Sequence, residues 1–127
     1  MTPTEVLDVL RETARAVRVA LDGVTDWGPS GRRDSQYAAD VVADLAALGV
    51  LDRYGFDVVS EESGHSRRGH DITVIVDPLD GSTNASRGVP HFATSLLAVD
   101  ADGPLAAVVA HQAAATVWWA VRGVGAF

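Results

Sequence analysis

Residues 74–84 read VIVDPLDGSTN. A run of β-branched residues leads into Asp77, Pro78, Asp80 and Gly81, and hydroxyl and amide side chains follow. The apolar run predicts a buried strand, while Asp-Pro and Asp-Gly are typical of a tight turn. Two carboxylates at a strand end, beside a glycine that lets an anion approach the backbone, also suit a divalent cation holding a phosphate. A surface turn and a metal-phosphate site are both open at this point.

Two helices are predicted before this stretch. Residues 4–22 repeat apolar side chains at helical spacing, with Thr4 as N-cap and Gly23 as C-cap. A loop rich in glycine and charged residues separates this first predicted helix from a second one, residues 36–50. The expected buried faces are Val6, Leu7, Leu10, Ala14, Val17 and Leu21 in the first helix, and Val41, Leu45 and Leu48 in the second.

Strands are predicted in the rest of the chain. Helices first and strands later, without βαβ alternation, favour an α+β fold in which two N-terminal helices cover a mostly antiparallel sheet. Adjacent Trp118 and Trp119 should face opposite sides of their strand, one toward the core and one toward the surface. Ser82, Thr83 or Asn84 is expected to cap a helix after the turn. The predicted strands are residues 56–60, 72–76, 91–100, 105–112 and 116–121.

Composition limits the class of protein. The sequence has 127 residues, which is the length of one domain. Of these, 47% are apolar and 21% are charged, and none is cysteine. Seventeen acidic against ten basic residues give a net charge of −7, which disfavours nucleic acid as a partner. No apolar run approaches the ~18 residues of a membrane span, and the N-terminus lacks a signal-peptide pattern, so a cytoplasmic protein is expected.

A second acidic motif follows the first predicted strand, in SEES, residues 60–63. A solvated loop is the ordinary interpretation of this pair of glutamates. If strands 56–60 and 72–76 are parallel neighbours, however, Glu61 arrives beside Asp77 at one edge of the sheet. Carboxylates gathered so closely need a cation to stay ionised.

These two motifs, with GVPHFATSLLAV at 88–99 and the terminal RGVGAF at 122–127, resemble the inositol monophosphatase and fructose bisphosphatase superfamily. The resemblance implies a Mg²⁺-dependent, lithium-sensitive phosphomonoesterase that acts on a small polyol or sugar phosphate such as inositol monophosphate. It also implies a fold that is half of a layered α/β sandwich, over the single domain 1–127. In such enzymes water attacks phosphorus directly, without a covalent enzyme intermediate.

The resemblance also implies ligands for two or three Mg²⁺ ions. Glu61, Asp77 and the backbone carbonyl of Leu79 match the ligands of the first ion. Asp77 would bridge to a second ion, which Asp80 also binds. Asp40 matches the last acid of an element that supports a third, weaker ion, although the stretch DSQYAAD, residues 34–40, lacks the threonine usual in that element.

Water and phosphate would be held by the turn itself. The resemblance implies that the Ser82 hydroxyl and Glu61 orient the attacking water, with Asp77 completing the catalytic set. The Gly81 and Ser82 backbone amides would bind the phosphate.

The family's enzymes are about twice as long and draw a further Asp ligand from their second half, so a C-terminal domain is expected to be lacking here. A homodimer or a missing C-terminal half is therefore the expected partner. A truncated sheet should also expose an edge or an apolar face. The alternative functions are a non-catalytic metal- or phosphate-binding module and a structural remnant that needs a partner half.

Overall fold

The computed structural model describes residues 1–127 and consists of two long helices on one face of a seven-stranded sheet. The strand order is β2-β1-β3-β4-β5-β6-β7, and only the β1–β3 pair is parallel. The predicted α+β fold with a mostly antiparallel sheet is confirmed. The elements are α1 (Pro3–Asp22), α2 (Ala38–Arg53), β1 (Asp57–Ser60), β2 (Gly64–Ser66), β3 (Thr73–Asp80), α3 (Ser82–Ser86), β4 (Ala93–Asp100), β5 (Gly103–His111), β6 (Thr116–Val121) and β7 (Gly125–Ala126).

The N-cap of helix α1 lies two residues earlier than predicted. The hydroxyl of Thr2 accepts a hydrogen bond from the Glu5 amide at 3.1 Å, and the Glu5 carboxylate accepts one from the Thr2 amide at 2.6 Å. This reciprocal capping box, with Pro3 in the first turn, makes Thr2 the N-cap and the prediction of Thr4 wrong. Gly23 is confirmed as the C-cap. All six residues of the predicted apolar face are buried.

Helix α2 differs from its prediction in both bounds and orientation. It runs to Arg53, and its buried side carries small residues, among them Ala39, Ala43 and Ala47. Leu45, predicted to face the core, is 63% exposed. The large apolar residues were misleading because small side chains let α2 pack closely against α1 and β3.

The core lies between the two long helices and one face of the sheet. Alternate residues of the central strands, such as Val74 and Val108, are fully buried there. The opposite face is open and apolar: Ile75 is 45% exposed and Trp118 is 51% exposed. The expected uncovered apolar face is therefore present. Trp119 packs against the core while Trp118 lies on the open face, as predicted.

Several local expectations are corrected near the turn. Strand β2 occupies part of a segment predicted to be a loop, and β3 continues through Asp80. Gly81, with φ of 91°, is the N-cap of α3, so no hydroxyl or amide side chain caps this helix. His91 precedes β4 rather than belonging to it. None of the helices is long and apolar enough to span a bilayer.

Candidate active site

The parallel pairing of β1 and β3 places the two acidic motifs side by side. Ser60 lies opposite Val76, and the Glu61 amide extends the ladder with a hydrogen bond to the Val76 carbonyl at 3.1 Å. The next residue of β3 is Asp77. The predicted approach of Glu61 to Asp77 at one sheet edge is therefore present in the structure.

Asp77 is an unusual carboxyl group. Its Oδ1 atom is buried and has no hydrogen-bond partner. Burial, together with a hydrogen bond and repulsion from Glu61 and the nearby charges of Asp80 and Glu62, raises the pKa of Asp77 to about 7. A cation placed among these groups would relieve the repulsion and give the unpaired oxygen a partner.

Asp40 reaches the same site from the first turn of α2. Its Oδ2 atom accepts a hydrogen bond from the Tyr37 amide at 2.8 Å, while its Oδ1 atom is buried without a partner. Burial raises the pKa of Asp40 and the charge of Glu61 adds to that effect, while hydrogen bonds from the Tyr37 amide and the Ser82 hydroxyl oppose it. Asp40 therefore stabilises the start of α2 and also leaves one oxygen free for a ligand.

The turn after Asp77 holds the remaining predicted residues. The β3–β4 register is irregular between Asp77 and Asp80, and Asp80 is exposed opposite Ala93. The Leu79 side chain is buried in the core, which fixes the backbone between the two acids. Gly81 and half-buried Ser82 then start α3. Glu61 thus lies within electrostatic reach of both Asp77 and Asp40, with Asp80, Gly81 and Ser82 in the adjoining turn.

The second glutamate of the SEES motif has a different environment from the first. Glu62 accepts hydrogen bonds from Arg33 at 2.9 Å and from Gln36 at 2.7 Å. Its amide also donates to the Ser60 hydroxyl at 3.1 Å, and that hydroxyl donates to buried Asp44. Glu62 therefore anchors the loop and leaves Glu61 exposed toward the site.

Asp44, Arg33 and Gln36 were not predicted from the sequence. Asp44 follows the predicted residue Asp40 by four positions, with alanines on the same helical face, and this spacing is the signal that could have identified it. The contacts of Arg33 and Gln36 span more than 25 residues of chain, so no local pattern indicates them.

A buried hydrogen-bond network supports the turn from beneath. The hydroxyl of Thr94, which is fully buried, donates to the Pro78 carbonyl at 2.8 Å. The same hydroxyl accepts a hydrogen bond from the Gln112 amide at 2.9 Å, and that amide also donates to the Ala14 carbonyl at 3.0 Å. The network links α1, β4 and the end of β5 to the backbone that lies between Asp77 and Leu79.

Thr94→Val is expected to lower the free energy of unfolding by about 1–3 kcal/mol, because it leaves the buried Pro78 carbonyl without a donor. Equilibrium urea unfolding checks this value. Thr73→Val is the matched control, since Thr73 is half-buried at the start of β3, the strand paired with β4, and its hydroxyl makes no hydrogen bond. Equal losses in the two variants would contradict the supporting role of Thr94.

The donor atoms at the site are oxygens, the type of ligand that a hard divalent cation prefers, but they do not form a complete coordination shell. Carboxylate and carbonyl oxygens are the ligands of Mg²⁺, and Asp77 and Asp40 each present an unpaired buried oxygen. No group of three or more His, Cys, Asp or Glu side chains converges closely enough to hold an ion. Protein sites for Mg²⁺ commonly use one or two carboxylates and leave the other positions to water and substrate phosphate. The residues therefore fit a partly solvated ion.

Comparison with known proteins points to one family. The sequence profile of the inositol monophosphatase family matches residues 5–127. The fructose-1,6-bisphosphatase/inositol-1-monophosphatase of Archaeoglobus fulgidus is 40% identical over 102 residues, covering 76% of this chain and 40% of that protein. The histidinol-phosphatase of Mycobacterium tuberculosis is 40% identical over 113 residues, covering 88% of this chain and 42% of that protein.

Solved structures agree with the sequence comparison. Extragenic suppressor protein SuhB from Bartonella henselae superposes with a TM-score of 0.80 at 28% identity, over 97% of this chain and 50% of that chain. Inositol monophosphatase from Anabaena superposes with a TM-score of 0.79 at 25% identity, over 98% of this chain and 46% of that chain. The chain thus spans half, or less, of the length of these relatives.

Proposed function

The chain belongs to the inositol monophosphatase family, and from that premise we propose that the site around Asp77 hydrolyses a small phosphate monoester with two or three Mg²⁺ ions. The observation that carries the proposal is the buried, unpaired oxygen of Asp77 beside Glu61 and Asp80. In a protein interior such a group is costly unless it is neutralised by a proton or bound to a cation.

The proposed roles of the residues are those that the resemblance to the family implies. Glu61, Asp77, Asp80 and the Leu79 carbonyl would hold two ions, and Asp40 would contribute to a third. Bound Mg²⁺ would neutralise phosphate oxygens and lower the pKa of water.

The turn would bind and orient the reactants. The Gly81 and Ser82 amides would bind the phosphate, and the Ser82 hydroxyl with Glu61 would orient the attacking water in line with the scissile bond. These roles require the Gly81 turn to keep its present conformation.

The proposed substrate is a phosphate ester of a small polyol or sugar. The names of the relatives include inositol monophosphatase, fructose bisphosphatase and histidinol phosphatase, and this range supports the substrate class. Inositol monophosphate is the first choice. The cytoplasmic location, lithium sensitivity, and a homodimer or a missing C-terminal half as partner stay predictions.

A non-catalytic metal- or phosphate-binding module is the second candidate. It is favoured by the lack of three converging ligands and by the position of the site. Asp77, Ser95, Val109 and Trp118 are paired in one row across the sheet, and Trp118 lies on the open apolar face. The site therefore borders a surface at which a partner could supply another acid.

Phosphate release separates the two candidates. The chain is incubated with inositol 1-phosphate, fructose 1,6-bisphosphate or histidinol phosphate, in Mg²⁺ or in EDTA. Mg²⁺-dependent release that Glu61→Gln abolishes and Asp102→Asn preserves supports hydrolysis, because Asp102 lies in the exposed β4–β5 turn. Mg²⁺ binding without release would favour the binding module, and neither activity would favour a remnant.

The apparent affinity for Mg²⁺ is expected to fall about tenfold between pH 8 and pH 6. Since the pKa of Asp77 is about 7, an ion must displace a proton at the lower pH. Calorimetric titration in buffers of different ionisation enthalpy measures this proton release. It should approach one proton per ion at pH 6, and an affinity independent of pH would contradict the assignment of Asp77.

A further inference from the structure

A cavity lies on the side of the sheet that α1 covers, between α1 and the turn that joins β5 to β6. Its volume is about 240 Å³. Arg11, Arg15 and Arg18 line it from one face of the helix, because they are spaced four and three residues apart. Ala110, Val117 and Trp119 provide apolar surface on the opposite wall.

The charge of this cavity contrasts with the rest of the chain. The protein carries a net charge of −7, yet none of the eleven residues that line the cavity is acidic. Arg11 makes one long ion pair, 3.7 Å from Asp8, and Arg15 and Arg18 make none. Glu12, whose charge attracts Arg15, is itself hydrogen-bonded to Arg53 and Tyr54. The two exposed guanidinium groups of Arg15 and Arg18, which form no ion pair, are therefore available to a ligand.

The walls of the cavity are held in place by contacts of their own. The Arg11 guanidinium lies 4.7 Å from the centre of the Trp119 ring, which stacks on Phe127 at 4.5 Å. Gln112 is fixed by its hydrogen bonds to Ala14 and Thr94. His111, also in the lining, has a buried Nδ1 atom without a hydrogen-bond partner. The cavity therefore combines a preformed apolar wall with unused polar groups.

We propose that this cavity, the arginine groove, is a second ligand site, which binds a small organic phosphate through Arg15 and Arg18 and packs its apolar body against Trp119. Planar guanidinium groups bind phosphate oxygens in pairs, whereas the apolar wall favours a flat or hydrocarbon body. The small volume limits the ligand to about one ring. This site is separate from the acidic residues around Asp77, and its ligand needs no metal ion.

Calorimetric titration of the chain with phenyl phosphate in EDTA tests the arginine groove. Without cations the carboxylates around Asp77 repel a phosphate dianion, so the result does not depend on the proposed hydrolysis. We expect saturable binding with a Kd on the order of 1 mM, and weaker binding of inorganic phosphate, which lacks the apolar body. No saturable heat with phenyl phosphate would overturn the proposal.

Variants locate the binding. Arg15→Gln/Arg18→Gln should weaken phenyl phosphate binding at least tenfold, and Arg15→Lys/Arg18→Lys should recover part of it, because lysine keeps the charge but not the paired geometry. Arg32→Gln/Arg67→Gln, an equal change of charge on exposed residues outside the groove, should have little effect. Both Arg15 and Arg18 are exposed and glutamine is a good helix former, so the variants should fold. Equal affinity in the two glutamine pairs would overturn the proposal.

Discussion

Asp77→Asn is expected to abolish Mg²⁺-dependent phosphate release, by roughly 10³-fold or about 4 kcal/mol of transition-state stabilisation. Asparagine keeps the size of the side chain but removes the charge that would bridge two ions. Phosphate-release assays at saturating Mg²⁺ measure the loss. Asp102→Asn, the same chemical change in an exposed turn, should retain full activity.

The same substitution should stabilise the metal-free protein. The pKa of Asp77 is raised to about 7, so the native state holds more protons than the unfolded state between about pH 4 and pH 7. Stability of the wild-type chain therefore falls as pH rises through that window. The neutral amide of the Asp77→Asn variant has no such penalty. The shift in pKa corresponds to about 4 kcal/mol, and since solvent screens part of the charge of half-buried Asp77, we expect a gain on the order of 2 kcal/mol at pH 8 that disappears below pH 4.

Thermal unfolding in EDTA at pH 8 and pH 4 measures this gain. Added Mg²⁺ should raise the unfolding temperature of the wild-type chain and leave that of the variant unchanged, because only a ligand that binds the native state stabilises it. A variant less stable than wild type at pH 8 would contradict the account of Asp77 as an uncompensated carboxyl group.

Gly81→Ala is expected to destabilise the chain by roughly 2–3 kcal/mol and to abolish phosphate binding at the turn. The φ of Gly81 is 91°, a conformation that residues with a side chain rarely adopt. A Cβ at this position would also lie 2.9 Å from the His91 carbonyl oxygen, so the backbone of the turn would have to move. Urea unfolding measures the stability loss.

The Gly103→Ala variant separates the effect of the positive φ from the effect of the steric contact with His91. Gly103 has a similar φ of 105°, but a Cβ there would meet nothing within 4 Å. The loss of stability in the Gly103→Ala variant should reflect backbone strain alone, about 1–2 kcal/mol, and the variant should keep its activity. If Gly81→Ala cost no more than Gly103→Ala and kept full activity, the close approach at His91 would have no functional role.

Local patterns were sufficient for the centre of the fold. The β-branched runs before Ser60 and Asp77 predicted two strands. Their parallel pairing was only the condition under which the two acidic motifs would meet, and the structure has that pairing. The apolar spacing of α1 was also predicted correctly, because its buried residues are large. In α2 the buried face includes the small residues Ala39, Ala43 and Ala47, so the larger Leu45 indicated the wrong face.

The support of the site depends on contacts between distant parts of the chain. Thr94 and Gln112 are ordinary polar residues of the strand region in the sequence, and only the folded chain shows that they bond to Pro78 and Ala14. The arginine groove shows the same limit. The spacing of Arg15 and Arg18 is visible in the sequence, but the packing of the β5–β6 turn beside α1, which completes the cavity, is not.

Direct detection of bound Mn²⁺, a substitute for Mg²⁺, tests the central claim that the acids around Asp77 form a metal site. Titration of the chain at pH 8 is followed by the electron paramagnetic resonance signal of free Mn²⁺. We predict that the wild-type chain removes at least one ion per molecule from the free signal, with a Kd in the millimolar range or below, and that Asp77→Asn removes none with that affinity. Equal binding by the two proteins, or a free signal that the wild-type chain leaves undiminished, would contradict the account.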